Sequence, residues 1–391
     1  MAVQATGHGF ASRAGEDTVL IATSRLDTVE IDSEARTARI GAGAQWGPVL
    51  AAAQEHDLAP LLGSSLTVGA LGYTLGGGFG WLGRKHGLAA DEVRSFTVVL
   101  ADGSVVTASD DSNPDLFWAL RGGGHGNLGV VVGMEIGLVE VSTVYGGNLM
   151  YPIEMATEVF GRYAAWSPEL PDEFTTAFTI MSFPPFEDIP EPMRGKSFAI
   201  VRGCHCGDLA EAAAMIDAWR DWREPALDLF GEMPFRDAAA ISQDPVDPVP
   251  AMSSARWLTG IDEEVGEAIL EASVGGSVPS PVIIAETRHA GGAISRPAAD
   301  TAHPNRSADR LLQIVALTAT PEAVADTEAR LDRLWERLDE KVVAPYLNFL
   351  EGDERVESGR KAFDAPTWER LMAVKKTYDP TGMFRHGLRL V

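Results

Sequence analysis

The sequence predicts an α+β protein, and three observations point there. From about Ser142 onward, β-rich runs alternate with helical runs, the pattern of one sheet covered by helices on one face. Before that point, SFTVVLADGSVVTAS reads as a hairpin, with Asp102-Gly103 between two β-branched runs. Between Gly63 and Asp91, the stretch GSSLTVGALGYTLGGGFGWLGRKHGLAAD carries glycine at 63, 69, 72, 76, 77, 78, 80, 83 and 87. Each glycine costs backbone entropy and adds no packing. Such a run belongs where the main chain bends sharply or lies against something flat or phosphorylated.

The elements follow in order. VLIATS, TVEID and TARIGAG are short strands, the last two split by a turn at Asp32-Ser33-Glu34. GPVLAAAQEHD is a helix with Val49, Leu50 and Ala53 on its apolar side. After the glycine run and the hairpin, NPDLFWALRGGG starts a helix with Asn113 as cap and proline in first position, and glycine stops it. GVVVGMEIGLVEV is a buried strand. Then come the strands YGGNLMYP, FTTAFTIMSFP, SFAIVRGCHC, PVIIAETRHAGG and LLQIVALTAT. They alternate with the helices ATEVFGRYAAWS, DLAEAAAMIDAWRDW, GEAILEAS and PEAVADTEARLDRLWERLDEKV. Residues 184–194 and 244–250 are Pro- and Asp-rich surface loops. PYLNFLEG leads to a last helix, APTWERLMAVKKTYDP, and a terminal FRHGLRLV.

The 391 residues allow two domains or one composite one, with a sizeable core. A net charge of −24 argues against a nucleic-acid or anionic-membrane surface. No apolar run is long enough to span a bilayer and no signal peptide is visible, so a cytoplasmic location is the default. Cys204 and Cys206 stand too close for an easy disulfide and have no second pair to complete a zinc site, so they read as strand residues.

Two stretches match G-x-G-x-x-G, at Gly78–Gly83 and Gly124–Gly129. The first follows more glycines, and the second follows a helix and precedes a strand. A dinucleotide turn needs a strand before it and a helix after it, so NAD binding is rejected. There is no Walker A, GxSxG or HExxH motif and no metal-ligand set. What remains is three glycine-rich loops, Thr6–Gly9, Gly63–Gly83 and Gly122–Gly129. Freed N–H groups in such loops form nests for a pyrophosphate, and bare glycine lets a flat ring approach. FAD fits this better than a mononucleotide does, and a turn-rich β domain is the plain alternative.

ATGHG, then WGPVLAAAQEHDLAPLLGSSLTVGALGYTLGGGFGWLGRKHGLAADEV, VVLADGSVV, NPDLFWALRGGGHGNLGVVVGMEIGL, YLNF and KKTYDPTGMFR occur in that order. In this the chain resembles the berberine bridge enzyme-like flavoproteins of the vanillyl-alcohol oxidase/PCMH fold. The likeness covers about the first 140 residues and the last 50. It implies a PCMH-type FAD-binding domain over 1–141, a substrate domain with a helix-covered antiparallel sheet over 142–345, and a segment 346–391 that returns to the first. It also implies a further unit ahead of the Gly-His loop. The chain starts almost on that loop, so a shortened N-terminus is expected, from a misplaced start or a real truncation.

The resemblance implies residue roles too. His8 matches the histidine bonded to the flavin 8α carbon; a turn histidine is the alternative. The cysteine that makes a second bond in bicovalent members is here Ser65, so FAD is expected to attach through His8 only. Thr6, Gly7, Gly9, Ser64, Ser65, Gly69, Gly72 and Gly129, Val130 and Val131 match positions that hold the pyrophosphate and ring. Tyr73 takes the place beside the flavin N1–C2 carbonyl, where a donor stabilises the reduced anion; a packed tyrosine is the alternative. Val68 matches the position that gates oxygen, and a valine resembles the oxidases. Tyr346 and Asn348, two apart in an extended stretch, leave one face. Tyr346 matches a base in several relatives, and Asn348 accompanies it beside the flavin. Glu286 and Arg288 share one face of their strand, Thr287 and His289 the other. Glu286 is a candidate catalytic group, or else half of a strand-edge ion pair.

The implied activity is oxidation of an alcohol, sugar, amine or secondary metabolite by hydride transfer to flavin N5, with oxygen as acceptor. A dehydrogenase with another acceptor and a non-catalytic remnant are the alternatives. The expected partners are a small-molecule substrate and oxygen, with no nucleic acid, membrane or metal, in a monomer or homodimer.

Overall fold

A computed structural model describes residues 1–391 except 10–13, 188, 245–248, 276–279, 353, 355–357, 389 and 391. The architecture is α+β. Among the described residues, one antiparallel sheet has five strands in the order Val29–Asp32, Thr37–Gly41, Val130–Gly137, Val93–Val99, Val105–Ala108. The Asp102-Gly103 turn closes its last hairpin, with Val99 opposite Val105. A separate parallel pair joins Ala2–Gln4 to Leu20–Ala22.

The second sheet has nine strands among the described residues. Its path runs Leu227–Asp228, Thr143–Pro152, Ser197–His205, Phe174–Ser182, Val282–His289, Arg310–Leu317, Ala251–Leu258, Val342–Pro345, and Gly231–Pro234 pairs with Thr143–Pro152. Alternation splits its side chains between two cores. On one face Phe178, Ile180, Val201, Ala285, Leu312 and Ile314 are buried under helices Ala156–Trp166, Leu209–Trp222, Glu263–Val274 and Pro321–Arg337. Those helices point Phe160, Ile216, Ile269 and Leu334 inward. The helices of 209–222, 263–274 and 321–337 start on side-chain caps from Asp208, Asp262 and Thr320. On the other face Ala177 and Cys204 pack into the core of the five-stranded sheet, while Trp257 and Leu311 pack with Phe79.

Three local expectations differ. Asn113 sits at the helix start in a left-handed conformation but caps nothing; its amide donates instead to the Thr107 carbonyl at 2.8 Å. Cys206 lies one residue beyond its strand. The strand Ala251–Leu258 is not in the sequence reading. AMSSARWL has no β-branched residue, and its partners, Arg310–Leu317 and Val342–Pro345, are remote in sequence. The expected 244–250 loop lies partly outside the described residues. Among the described residues no helix is long and apolar enough to cross a membrane.

The glycine run lies between the two sheets. Trp81 Nε1 donates to Ser242 Oγ at 3.1 Å, and Arg84 donates to the Leu170 carbonyl at 3.1 Å. Arg306 grips Asp91 with two bonds of 2.8 and 2.6 Å, a bidentate pair almost free of solvent. The last helix, Ala365–Tyr378, is anchored by buried Lys375. Its Nζ donates to Asn127 O, Asp379 Oδ2 and Phe384 O at 2.6, 2.6 and 2.8 Å, which ties the Gly124–Gly129 loop to the C-terminal segment.

Candidate active site

The expected site residues fall into two groups on either side of the short helix Ala70–Leu75. The first is an open strip. His8 Nε2 lies 3.0 Å from Thr67 Oγ1, and Thr67 Oγ1 lies 3.0 Å from Ser65 Oγ. Gly69 N–H donates to Thr6 Oγ1 at 3.2 Å. These bonds lay the loop Thr6–Gly9 alongside Ser64–Gly69. Residues 63–68 are half-buried, His8, Gly9 and Gly72 are exposed, and a Cβ built on Gly9 or Gly72 would meet nothing. Although His8 is exposed, partial burial of its ring lowers its pKa, against the pull of the Asp244 carboxylate.

The second group is buried and polar. Asn348 Nδ2 donates to the Tyr73 carbonyl at 3.1 Å and to Tyr346 Oη at 3.0 Å. The stretch is not extended: Leu347–Phe349 is a 3-10 turn starting from Tyr346. The turn, rather than a shared strand face, brings Tyr346 and Asn348 together. The Tyr73 ring is clamped between Gly63 and Gly78, with a Cβ on Gly63 only 2.8 Å from Tyr73 Cε2. Its hydroxyl is buried and makes no hydrogen bond among the described residues. Burial pushes Tyr346 up to about 12, although Asn348, the Phe79 and Gly78 main chain and the Arg288 charge all pull it down.

Glu286 is no strand-edge residue. It lies mid-sheet, 2% exposed, between two arginines. Arg202 Nε donates to its Oε2 at 2.6 Å, Arg288 donates to its Oε1 at 3.0 and 2.7 Å, and Thr179 adds a bond at 3.2 Å. Burial alone would raise the Glu286 pKa; the two guanidinium groups outweigh it and hold the carboxylate at about 2. Arg288 Nη1 continues to the Phe79 carbonyl at 2.9 Å, and its guanidinium stacks 4.6 Å from the Trp81 ring. The triad therefore braces the glycine run from the sheet side.

The run itself divides. Its first part, 63–72, is the open strip. From Gly76 on, the protein's own side chains fill it: Asn348 and His125 against Gly76, His303 against Gly77, Tyr73 against Gly78. Gly77 and Gly78 have φ of +103° and +79°, which side-chain-bearing residues rarely adopt. A methyl group on Gly80 would strike the Leu62 carbonyl oxygen, a main-chain atom with nowhere to go. Gly80→Ala is expected to lower stability by about 1–3 kcal/mol, read as the urea unfolding midpoint. Gly129, Val130 and Val131 are not joined to the open strip by any hydrogen bond among the described residues. Val130 and Val131 pair with Val99 and Val98 inside the five-stranded sheet. A surface hollow of about 410 Å³, lined by Ser33, Arg36, His56, Asp57, Leu58, Glu140 and Ser142, holds none of the expected residues.

Sequence reasoning missed Arg202, Thr67 and His303. His303 is a neutral buried ring, its pKa held well below the usual value by burial and by Arg306, and it packs edge-on to Trp257 and Tyr346.

The residues fit a flat cofactor. Open glycine main chain and short hydroxyl side chains line one edge, and nearby lies the buried Tyr73 phenol, which has no hydrogen-bond partner among the described residues. Fold and site together define an FAD-binding α+β protein of the PCMH type. Residues 1–109 match the FAD binding domain family, and residues 345–388 match the berberine and berberine-like family. Two segments of the chain thus match FAD-binding and berberine-like families, and FAD-linked oxidoreductases are among its relatives. It is 36% identical over 189 residues to an FAD-dependent monooxygenase (FUP4) of Fusarium proliferatum, covering 46% of this chain. That match spans 36% of the relative's length, and matches to two Aspergillus FAD-linked oxidoreductases span 22% and 32% of theirs. The (R)-6-hydroxynicotine oxidase of Paenarthrobacter nicotinovorans is 26% identical over 420 residues, covering 100% of this chain and 85% of that protein. The solved BBE-like 1 protein of Physcomitrella patens shares the fold, with a TM-score of 0.82 at 22% identity over 98% of this chain and 84% of that one.

Proposed function

We propose that this chain oxidises a small organic substrate, an alcohol, sugar, amine or secondary metabolite, with dioxygen as acceptor and FAD attached through His8 alone. The observation that carries this reading is the open strip, where His8, Thr67 and Ser65 are hydrogen-bonded in a row. In this reading residues 1–141 and 346–391 make the FAD domain, and residues 142–345 make the substrate domain.

Bound FAD would supply the two-electron oxidation, taking a hydride from a substrate C–H bond at N5 and passing the electrons to oxygen. The chain's own residues bind and position. Thr6, Gly7, Gly9, Ser64, Gly69 and Gly72 hold the ring edge and phosphates through main chain and hydroxyls, and Gly129, Val130 and Val131 lie further along. A serine hydroxyl cannot form the thioether that a cysteine at 65 would, which leaves one attachment point. Val68 stands where a side chain controls oxygen access. Tyr73 offers its unpaired hydroxyl to the reduced ring. Tyr346 takes up the substrate proton in its ionised form, which Asn348 stabilises by donating to the phenol oxygen. With the phenol at about 12, the ionised fraction grows tenfold per pH unit below that value, so the oxidation rate is expected to rise with pH. Glu286 acts through Arg288 on the glycine run rather than on substrate.

The experiment is acid precipitation of the purified, FAD-loaded chain. A yellow pellet is expected from the wild type and a yellow supernatant over a colourless pellet from His8→Ala. Absence of flavin from both fractions of the wild type would sink the reading. Peroxide release under air across a panel of alcohols, sugars and amines then separates an oxidase from a dehydrogenase, which turns over only with an added electron acceptor.

A further inference from the structure

We infer that Thr67 is a positioning residue for attachment of the flavin, fixing the His8 ring and carrying away its proton. This rests on the His8 attachment proposed above and goes beyond it to the residue that prepares the histidine. Thr67 is the one hydroxyl in contact with the ring among the described residues: Oγ1 lies 3.0 Å from His8 Nε2. The same Oγ1 lies 3.0 Å from Ser65 Oγ, on the half-exposed side of the strip. Gly69 N–H to Thr6 Oγ1 fixes the two loops against each other beside this point, and Trp46 N–H to the Val68 carbonyl holds the second loop to the start of helix Trp46–Gln54. The ring therefore has one orientation in which Nε2 faces Thr67. Nδ1 makes no hydrogen bond among the described residues.

A neutral imidazole carries its proton on one nitrogen and a lone pair on the other, and the hydrogen bond decides which. When Nε2–H donates to Thr67, and Thr67 O–H donates on to Ser65, the lone pair stands on Nδ1. That is the nitrogen without a hydrogen-bond partner among the described residues. Partial burial favours the neutral ring. When Nδ1 bonds to the flavin methyl carbon, the ring must shed its Nε2 proton, and the hydroxyl of Thr67 is already in contact with it. The balance closes. One hydrogen leaves the methyl carbon and one leaves the imidazole, and their two electrons enter the flavin ring. Dioxygen, reduced to hydrogen peroxide, then takes up both electrons and both protons.

The test uses the whole chain produced without flavin and then reconstituted with FAD in air. The mass of the denatured protein reads attachment, and absorbance before denaturation reads total binding. The wild type is expected to gain the mass of one FAD. Thr67→Val is expected to bind FAD but to gain that mass about tenfold more slowly, the effect of one lost hydrogen bond on a reacting group. Thr67→Ser, which keeps the hydroxyl, is expected to follow the wild type. Attachment in Thr67→Val at the wild-type rate, or no recovery in Thr67→Ser, overturns the inference and leaves His8 attachment standing. A wild type that binds FAD and gains no mass overturns both. If Thr67→Val binds no FAD, Ser65→Ala decides, since it interrupts the same path one step further out. Slowed attachment there supports the relay, and a wild-type rate overturns it.

Discussion

Glu286→Ala is expected to destabilise the fold by about 3–5 kcal/mol, the range for breaking a buried ion pair by removing one partner. The reason is what remains. Arg202 and Arg288 are 2% and 6% exposed, and Glu286 is the acidic group between them. Their other hydrogen-bond partners are carbonyls, Ser242 O for Arg202 and Phe79 O for Arg288. Neither carbonyl neutralises a guanidinium. Two buried cations would then face each other across the space left by the carboxylate, at a cost that hydrogen bonds alone do not offset. The measurement is the urea midpoint at neutral pH. A second variant isolates the cause: with Arg202→Met added, one surplus charge is gone, and part of the loss in Glu286→Ala is expected to return. That non-additivity is the signature of a coupled pair. A wild-type midpoint in Glu286→Ala would mean that water reaches the triad. The result also bears on function. Loss of activity in a Glu286 variant reports the bracing of Phe79 and the glycine run before it reports any chemistry at the carboxylate.

Arg202 shows what the sequence carried and what it hid. It stands in SFAIVRGCHC, an otherwise apolar strand, and a charge in such a run announces a buried partner. Which partner it has depends on register. Ala177 pairs with Arg202 on one side and with Arg288 on the other, so the two arginines flank one column of a central strand. No local pattern encodes that neighbourhood. The same limit explains Tyr346 and Asn348. Their spacing reads as one face of a strand, yet they meet because the chain turns at Leu347. The elements with strong local signals were legible: the Asp102-Gly103 hairpin, the helices begun by Asp208 and Thr320, and the alternating strands of the large sheet. The glycine run was legible as a place of close approach. Its division was not. Glycine density marks both the part that lies open, at Gly72, and the part filled by Tyr73, His303 and Asn348. Only packing tells them apart, because the filling side chains at 303 and 348 come from far along the chain.

Acid should weaken this fold well before its carboxylates protonate. His289 is buried beside two cations. Its Nε2 accepts from Arg84 at 3.0 Å, and Arg310 stands near. The Asp309 carboxylate is 3.9 Å away, but burial and the two arginines prevail, and the histidine is held neutral with a pKa of about 2. His86 is likewise pushed down to about 4 by burial and by Lys85, and burial and Arg306 hold His303 low as well. In the unfolded chain each would take a proton near 6.5. Below that pH the unfolded state binds more protons than the folded state, so stability falls as pH falls. At pH 5 the loss is about 2 kcal/mol for His289 alone, from roughly one and a half pH units at about 1.4 kcal/mol each. Glu286 adds a second, lower window. Its stabilisation is full above the unfolded value near 4.5 and is lost as pH falls toward about 2. The urea midpoint is therefore expected to drop between pH 7 and 5, with a further drop below 4.5. His289→Gln keeps an acceptor for Arg84 and carries no titrating proton. It is expected to flatten the upper part of that curve while leaving the lower part in place. An unchanged slope between pH 7 and 5 in this variant would mean that His289 already binds its proton in the folded protein, paired with Asp309.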